Sequence, residues 1–323
     1  MLVIDNCFNT DKHCAMSNGS KQECVMPVTK TDKFGISAAI TTPFTSTGAI
    51  DTDLLCKHAK SLIAKGCSSF TLGGTTGEGP HLSRDEKVAA HKALLASGIE
   101  PAQIVVGIIE SALGDAISAA KTADSFGSKY VLVTPPYYFK GSSDAGQITW
   151  FRQFLDAISD TRLQVILYHI PQVTAAPICP DMIAALIESH PAMIAGVKDS
   201  SGDWENAKTL LDRFADRHIL IGDERILGAA IALGGSGAIS GVANFAPDLL
   251  IPLLDGETPD QRLAPLVNAL VELPVTPAVK ALVGHITDSA QWSRVRAPLV
   301  ELTQEQYEWI TNTYDTLFVT RND

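Results

Sequence analysis

The 323-residue chain has 46% hydrophobic side chains, enough for a large core, and a formal net charge of −11. That acidic balance offers no basic face to nucleic acid or an anionic membrane, and no apolar run reaches the ~18 residues needed to span a bilayer. Its six cysteines are scattered without a Cys-x-x-Cys pair, which argues against a zinc or disulfide framework and suits a cytoplasmic protein with small-molecule partners.

Residues 1–33 are polar and unperiodic, and read as a flexible extension, a tag remnant or an oligomer arm; they lack the charged and apolar regions of a secretory signal. From Phe34 onward an alternation sets in: a short apolar run, a turn, then an amphipathic helix. Residues 36–40 read as the first strand, followed by a helix capped by Asp51 and stopped at Gly66. Residues 68–72 are the second strand, after which Ser83 and Glu86 form a capping box. Strands over 103–109, 129–134, 163–168, 193–198, 218–221 and 238–240 follow, each of the first five trailed by a helical pattern. Strand runs that are apolar throughout and alternate with helices point to parallel pairing. Eight such units predict an α/β fold of the (β/α)8 TIM-barrel type over 34–245, with additional C-terminal helices over 246–323 that are excess to the barrel.

In such a barrel the chemistry belongs at the C-terminal ends of the strands. Lys198 ends the apolar run 193–198, just before the break at Gly202. Burial there penalises the ammonium and lowers its pKa from about 10.4, the requirement for an amine that attacks a carbonyl. The alternatives are a lysine that snorkels to solvent or pairs with Asp199. The glycine-rich turn from Gly73 to Pro80 places Thr75 and Thr76 after the second strand, where hydroxyls and backbone N–H groups can hold a carboxylate; an ordinary strand-to-helix turn is the plainer reading. Tyr168 ends the fifth strand, as a proton shuttle or as an aromatic with its hydroxyl satisfied by backbone. Pro135 and Pro136 stiffen the loop that bears Tyr137 and Tyr138.

The Gly-Thr-Thr-Gly-Glu turn, the Tyr-x-x-Pro strand end, the Gly-x-Lys strand and the segment Gly235 to Ser240 together resemble the dihydrodipicolinate synthase and N-acetylneuraminate lyase family of pyruvate-type class I aldolases, over roughly residues 34–300. The resemblance implies that Lys198 forms an imine with a 2-oxo acid and that Tyr168 is the general acid and base. It implies that Thr75 and Thr76, with Gly77 in the same turn, bind the pyruvyl carboxylate, Thr75 also relaying protons. Tyr138 would reach a neighbouring subunit's site, and the backbone of Ile239 would border the imine. Family members are typically homotetramers built from tight dimers, and need neither metal nor organic cofactor.

The sequence departs from one branch of that family. Dihydrodipicolinate synthases carry an arginine five residues after the tyrosine, and here Val173 stands there. Asp223 and Glu224 resemble the acidic pair with which sialic-acid lyases hold a polyol, and Ser200 sits where those lyases have a threonine. The expectation is therefore reversible cleavage of a 2-keto-3-deoxy sugar acid, or a related 4-hydroxy-2-oxo acid, to pyruvate and an aldehyde. Dihydrodipicolinate synthesis, dehydration of a sugar acid and a non-catalytic pyruvate sensor are the alternatives. A metal-dependent aldolase is disfavoured by dispersed histidines, and a phosphate site before the last strand is a weaker reading.

Overall fold

Short strands with no polar face cannot sit at the edge of an open sheet, and here they close on themselves. The structure, a computed structural model, describes residues 33–318. Eight strands, β1 (Gly35–Ala38), β2 (Ser69–Leu72), β3 (Ile104–Ile108), β4 (Tyr130–Val133), β5 (Gln164–His169), β6 (Ile194–Asp199), β7 (His218–Ile221) and β8 (Gly237–Ser240), pair in parallel in sequence order, and β8 pairs back onto β1. The expected (β/α)8 barrel with C-terminal helices is thus present. All but residue 33 of the expected N-terminal extension lies outside the described residues, as do Cys7, Cys14 and Cys24.

Helices α1 (Thr52–Ala64), α2 (Arg84–Ala96), α3 (Leu113–Ser125), α4 (Asp144–Ala157), the single turn α5 (Pro171–Thr174), α6 (Pro180–Ser189), α7 (Trp204–Arg213) and α8 (Leu227–Ala232) follow their strands. Asp51 accepts from the Leu54 N–H, and Ser83 and Glu86 form the expected reciprocal capping box. The helix expected over 225–233 begins instead as a 3-10 turn, Glu224–Ile226, because the Asp223 carboxylate accepts from the Arg225 N–H and tightens the start.

The core has two layers. Leu55, Leu94, Phe151, Leu186 and Leu210 pack between the strands and the helical ring. Ala39, Val105, Leu132, Ile166, Tyr168, Leu220 and Ile239 fill the barrel interior. At the strands' N-terminal end Phe34, Tyr130 and His218 close the floor, with ring centroids 5.3–6.3 Å apart.

The C-terminal helices α9 (Leu263–Val271), α10 (Val275–Ile286) and α11 (Gln304–Phe318) are not merely excess. Lys280 of α10 is fully buried and donates to Glu78 Oε1 at 2.7 Å and to the Thr42 carbonyl at 2.9 Å, with its ammonium 4.4 Å from the Phe44 ring. The second Glu78 oxygen accepts the Arg296 N–H at 2.9 Å. Burial pushes the Lys280 ammonium below the ordinary lysine value, and the Glu78 carboxylate opposes that push. Glu78 belongs to the turn that carries Thr75 and Thr76, with its backbone in the left-handed region at φ 56°. The turn itself is closely folded: a Cβ at Gly79 would lie 1.8 Å from the Gly73 carbonyl oxygen, so only glycine fits. The turn, joined in the chain to β2 and α2, is therefore also anchored through Glu78 to α10.

Removing one partner of such a pair strands a buried charge. We expect Lys280→Met to cost about 3–5 kcal/mol in denaturant unfolding, and Lys280→Met/Glu78→Gln to cost less than Lys280→Met alone. A loss below about 0.5 kcal/mol for Lys280→Met would show that the pair anchors nothing.

Candidate active site

Lys198 reaches the barrel interior because β6 is irregular. Val165 pairs with Ile194, but Ile166 pairs with Gly196, so Ala195 is an extra residue on that strand. Strict alternation would put Ala195 and Lys198 on opposite faces. With the irregularity, Ala195 packs in the interior while Lys198 faces the cavity at the barrel mouth. Gly196 permits the close approach to β7 at this point, since a Cβ there would lie 2.0 Å from the His218 carbonyl oxygen.

The lysine is 5% exposed, and its ammonium sits 4.2 Å from the centroid of the Tyr168 ring, directly across the β5–β6 pairing. Among the described residues it has no carboxylate in ion-pair contact, so the pairing with Asp199 considered from the sequence does not occur. Asp199 points elsewhere: its carboxylate accepts from the Ser201 N–H at 2.9 Å and from the Asn206 amide at 2.8 Å. Neighbouring His169 accepts the Ile178 N–H on Nδ1, and burial pushes its imidazole below the ordinary value against the pull of Asp199. These bonds fix the end of β6 from the outside and leave its inner face to the lysine.

Tyr168 is 2% exposed, and its hydroxyl lies 3.3 Å from Thr75 Oγ1. Amine, phenol and hydroxyl thus stand in succession. They open into a cavity of about 410 Å³, lined also by Thr76, Val173, Ser200, Asp223, Glu224 and Ile239. Nine of the eleven residues singled out in the sequence therefore line one cavity. The other two do not. Gly77 offers its carbonyl to the Thr42 hydroxyl at 2.7 Å and is a structural member of the turn. Tyr138 is 74% exposed on the β4–α4 loop, packed edge-on against Phe139.

The acidic pair is differently disposed from what a bare polyol grip needs. Glu224 is buried, accepting the Ser240 hydroxyl at 2.5 Å and the Val242 N–H at 3.4 Å, and burial raises its pKa above the ordinary glutamate value. Asp223 is engaged by the guanidinium of Arg225, at 2.9 Å from Nε and 2.6 Å from Nη2. Arg225 itself lines the cavity and was not singled out from the sequence; its signal was a third charge directly after two acids. Val267, Leu270, Val275 and Val279 were missed too, because their helices read as separate from the barrel, yet they form the cavity's apolar wall.

A buried amine beside a phenol that shares a hydrogen bond with a threonine hydroxyl can attack a carbonyl and pass protons along that line. The arrangement depends on the close β6–β7 approach. We expect Gly196→Ala to destabilise the chain by about 1–3 kcal/mol through overpacking and to lower the rate of imine formation by Lys198, read by borohydride trapping; unchanged stability and trapping would contradict this placement.

The model of the Dihydrodipicolinate synthetase family matches residues 32–316. The chain is 33% identical to an uncharacterized DapA-like lyase of Chloroflexus aurantiacus, over 87% of this chain and 96% of that one. It is 35% identical to 4-hydroxy-tetrahydrodipicolinate synthase 1 of Streptomyces coelicolor, over 84% and 90%. The crystal structure of dihydrodipicolinate synthase from Agrobacterium tumefaciens is similar at 42% identity and TM-score 0.86, over 88% of this chain and 100% of that chain. KD(P)GA from T. tenax is similar at 25% identity and TM-score 0.77, over 88% and 98%. A barrel of this order, with a lysine, a tyrosine and a threonine meeting at its mouth and a family match over nearly all the described residues, leads to one conclusion: the chain belongs to the dihydrodipicolinate synthetase family and is a pyruvate-dependent class I lyase.

Proposed function

We propose that the chain reversibly cleaves a 2-keto-3-deoxy sugar acid, or a related 4-hydroxy-2-oxo acid, into pyruvate and an aldehyde. The observation that carries this reading is the line from Lys198 through Tyr168 to Thr75 at a cavity larger than pyruvate needs, with Val173 where a dihydrodipicolinate synthase has its arginine. Ser200, Ser201 and Gln172 supply hydroxyl and amide groups beside it, suited to hydroxylated carbon.

Lys198 Nζ adds to the C2 carbonyl, Tyr168 gives its proton to the resulting C2 hydroxyl and water leaves, giving a protonated imine and a Tyr168 phenolate. Tyr168, as phenolate, takes the proton of the C4 hydroxyl; the C3–C4 bond breaks, the aldehyde departs and the electron pair moves into the enamine. The phenol then returns its proton to C3, and water releases pyruvate from the lysine. Thr75 orients the Tyr168 hydroxyl and, with Thr76, receives the pyruvyl carboxylate through the turn. Tyr138 joins the proton relay from a neighbouring subunit of a homotetramer, a role suited to its exposed position outside its own cavity. The second reading is condensation of pyruvate with aspartate semialdehyde, favoured by the 35% and 42% identities to proteins so described.

Borohydride with pyruvate is expected to leave a reduced pyruvyl adduct on Lys198, absent from Lys198→Ala; no adduct on the unaltered chain would sink both readings. Tyr168→Phe should still form the adduct while kcat falls about 10²–10⁴-fold. With 2-keto-3-deoxygluconate and aspartate semialdehyde offered in parallel, faster turnover of the sugar acid supports cleavage, and preference for the semialdehyde replaces it with condensation.

A further inference from the structure

The residues lining the cavity include two cations. Lys198 is deep and on β6; Arg225 lies at the rim, four residues past the end of β7, the strand that pairs beside Lys198. A substrate held by carbon 2 on Lys198 therefore has a guanidinium within the same cavity as its far end. That guanidinium is held in place. Its Nε donates to Asp223 Oδ1 at 2.9 Å, its Nη2 to Asp223 Oδ2 at 2.6 Å and its Nη1 to Asn268 Oδ1 on α9 at 2.9 Å.

A guanidinium has five N–H donors in a rigid plane. Three are engaged by Asp223 and Asn268, which leaves one on each terminal nitrogen. The remaining N–H of each terminal nitrogen can be offered to the oxygens of a carboxylate. The side chain is 37% exposed, so a ligand can reach it, whereas Asp223 behind it is only 12% exposed. Val173, Val271 and Val275, all exposed, line the same cavity and offer no competing polar contact. Val173 occupies the position where the related synthases carry their arginine, so the charge missing from the β5 end is present at the β7 end.

We propose that Arg225 recognises a carboxylate on the aldehyde half of the substrate, so that the 4-hydroxy-2-oxo acid of the preceding reading is a dicarboxylate. The proposal rests on that reading. Asp223, bonded to both Nε and Nη2, then serves as the group that orients the guanidinium, and the single contact of Nη1 with Asn268 is dispensable for recognition.

The test runs the reaction towards condensation, with pyruvate and three aldehydes: 4-oxobutanoate, butanal, in which a methyl replaces the carboxylate, and glyceraldehyde 3-phosphate. The unaltered enzyme should show a kcat/KM for 4-oxobutanoate about 10- to 100-fold above that for butanal, the worth of a paired charge-assisted contact. Arg225→Gln should bring that ratio close to unity, and Arg225→Lys should leave an intermediate ratio because charge survives without the fork. Asn268→Ala separates recognition from a merely structural tie between β7 and α9: the preference should persist, and its loss there as complete as in Arg225→Gln would overturn recognition by the guanidinium. A ratio near unity in the unaltered enzyme overturns the proposal whatever the variants do. Preference for glyceraldehyde 3-phosphate over 4-oxobutanoate overturns the carboxylate assignment. Trapping of pyruvate on Lys198 in the same preparation keeps the two failures apart: an adduct without preference removes only Arg225's role, while absence of the adduct removes the underlying reading.

Discussion

The placement of one amine inside a parallel barrel is the constraint on which the site depends. Parallel strands alternate their side chains, and a closed sheet has no free edge along which a strand can slip to correct its phase. The extra residue Ala195 makes the correction locally, and Lys198 arrives on the cavity side opposite Tyr168. Everything around it preserves that phase. Gly196 lets β7 approach, Asp199 turns outward to Ser201 and Asn206, and the Ser200 N–H bonds back to the His169 carbonyl.

The second constraint is the holding of the threonine turn. Glu78 adopts a left-handed backbone conformation and buries its carboxylate, each of which is costly alone. Lys280 and Arg296 supply the compensating contacts from 202 and 218 residues away in the chain. The C-terminal helices thus contribute to the same cavity twice, through the ion that fixes Thr75 and Thr76 and through the apolar wall of Val267, Leu270, Val275 and Val279. The line from Lys198 through Tyr168 to Thr75 is local to β6, β5 and the turn after β2, whereas its support is distributed over most of the chain.

Much of this was legible in the sequence, and the reasons for the gaps are physical. Periodicity reports burial, so the eight strand–helix units and the caps at Asp51 and Ser83 could be read directly. Lys198 and Tyr168 were legible because a polar group at the end of an apolar run contradicts its surroundings, and Thr75 because it is a hydroxyl in a glycine-rich turn after a strand. Lys280 carries the same contradiction inside the apolar helix Val275–Ile286, but a lysine in a helix also reads as a solvated stripe, and only tertiary contact separates the two. The bulge at Ala195 has no signal in composition, since one extra small residue looks like any other. Arg225 was hidden by its neighbours: Asp223 and Glu224 read as a polyol grip, a role that does not call for a cation at the next position.

The aromatic floor of Phe34, Tyr130 and His218, beneath the side chains that fill the interior, closes the strands' N-terminal end and leaves the mouth as the way in. Both Lys198 and Arg225 line the cavity at the opposite end, Lys198 deep in it and Arg225 nearer its rim. A compound that reaches the lysine must pass that rim first. Three packed rings, remote from Lys198, thereby help decide the side from which the cavity is reached.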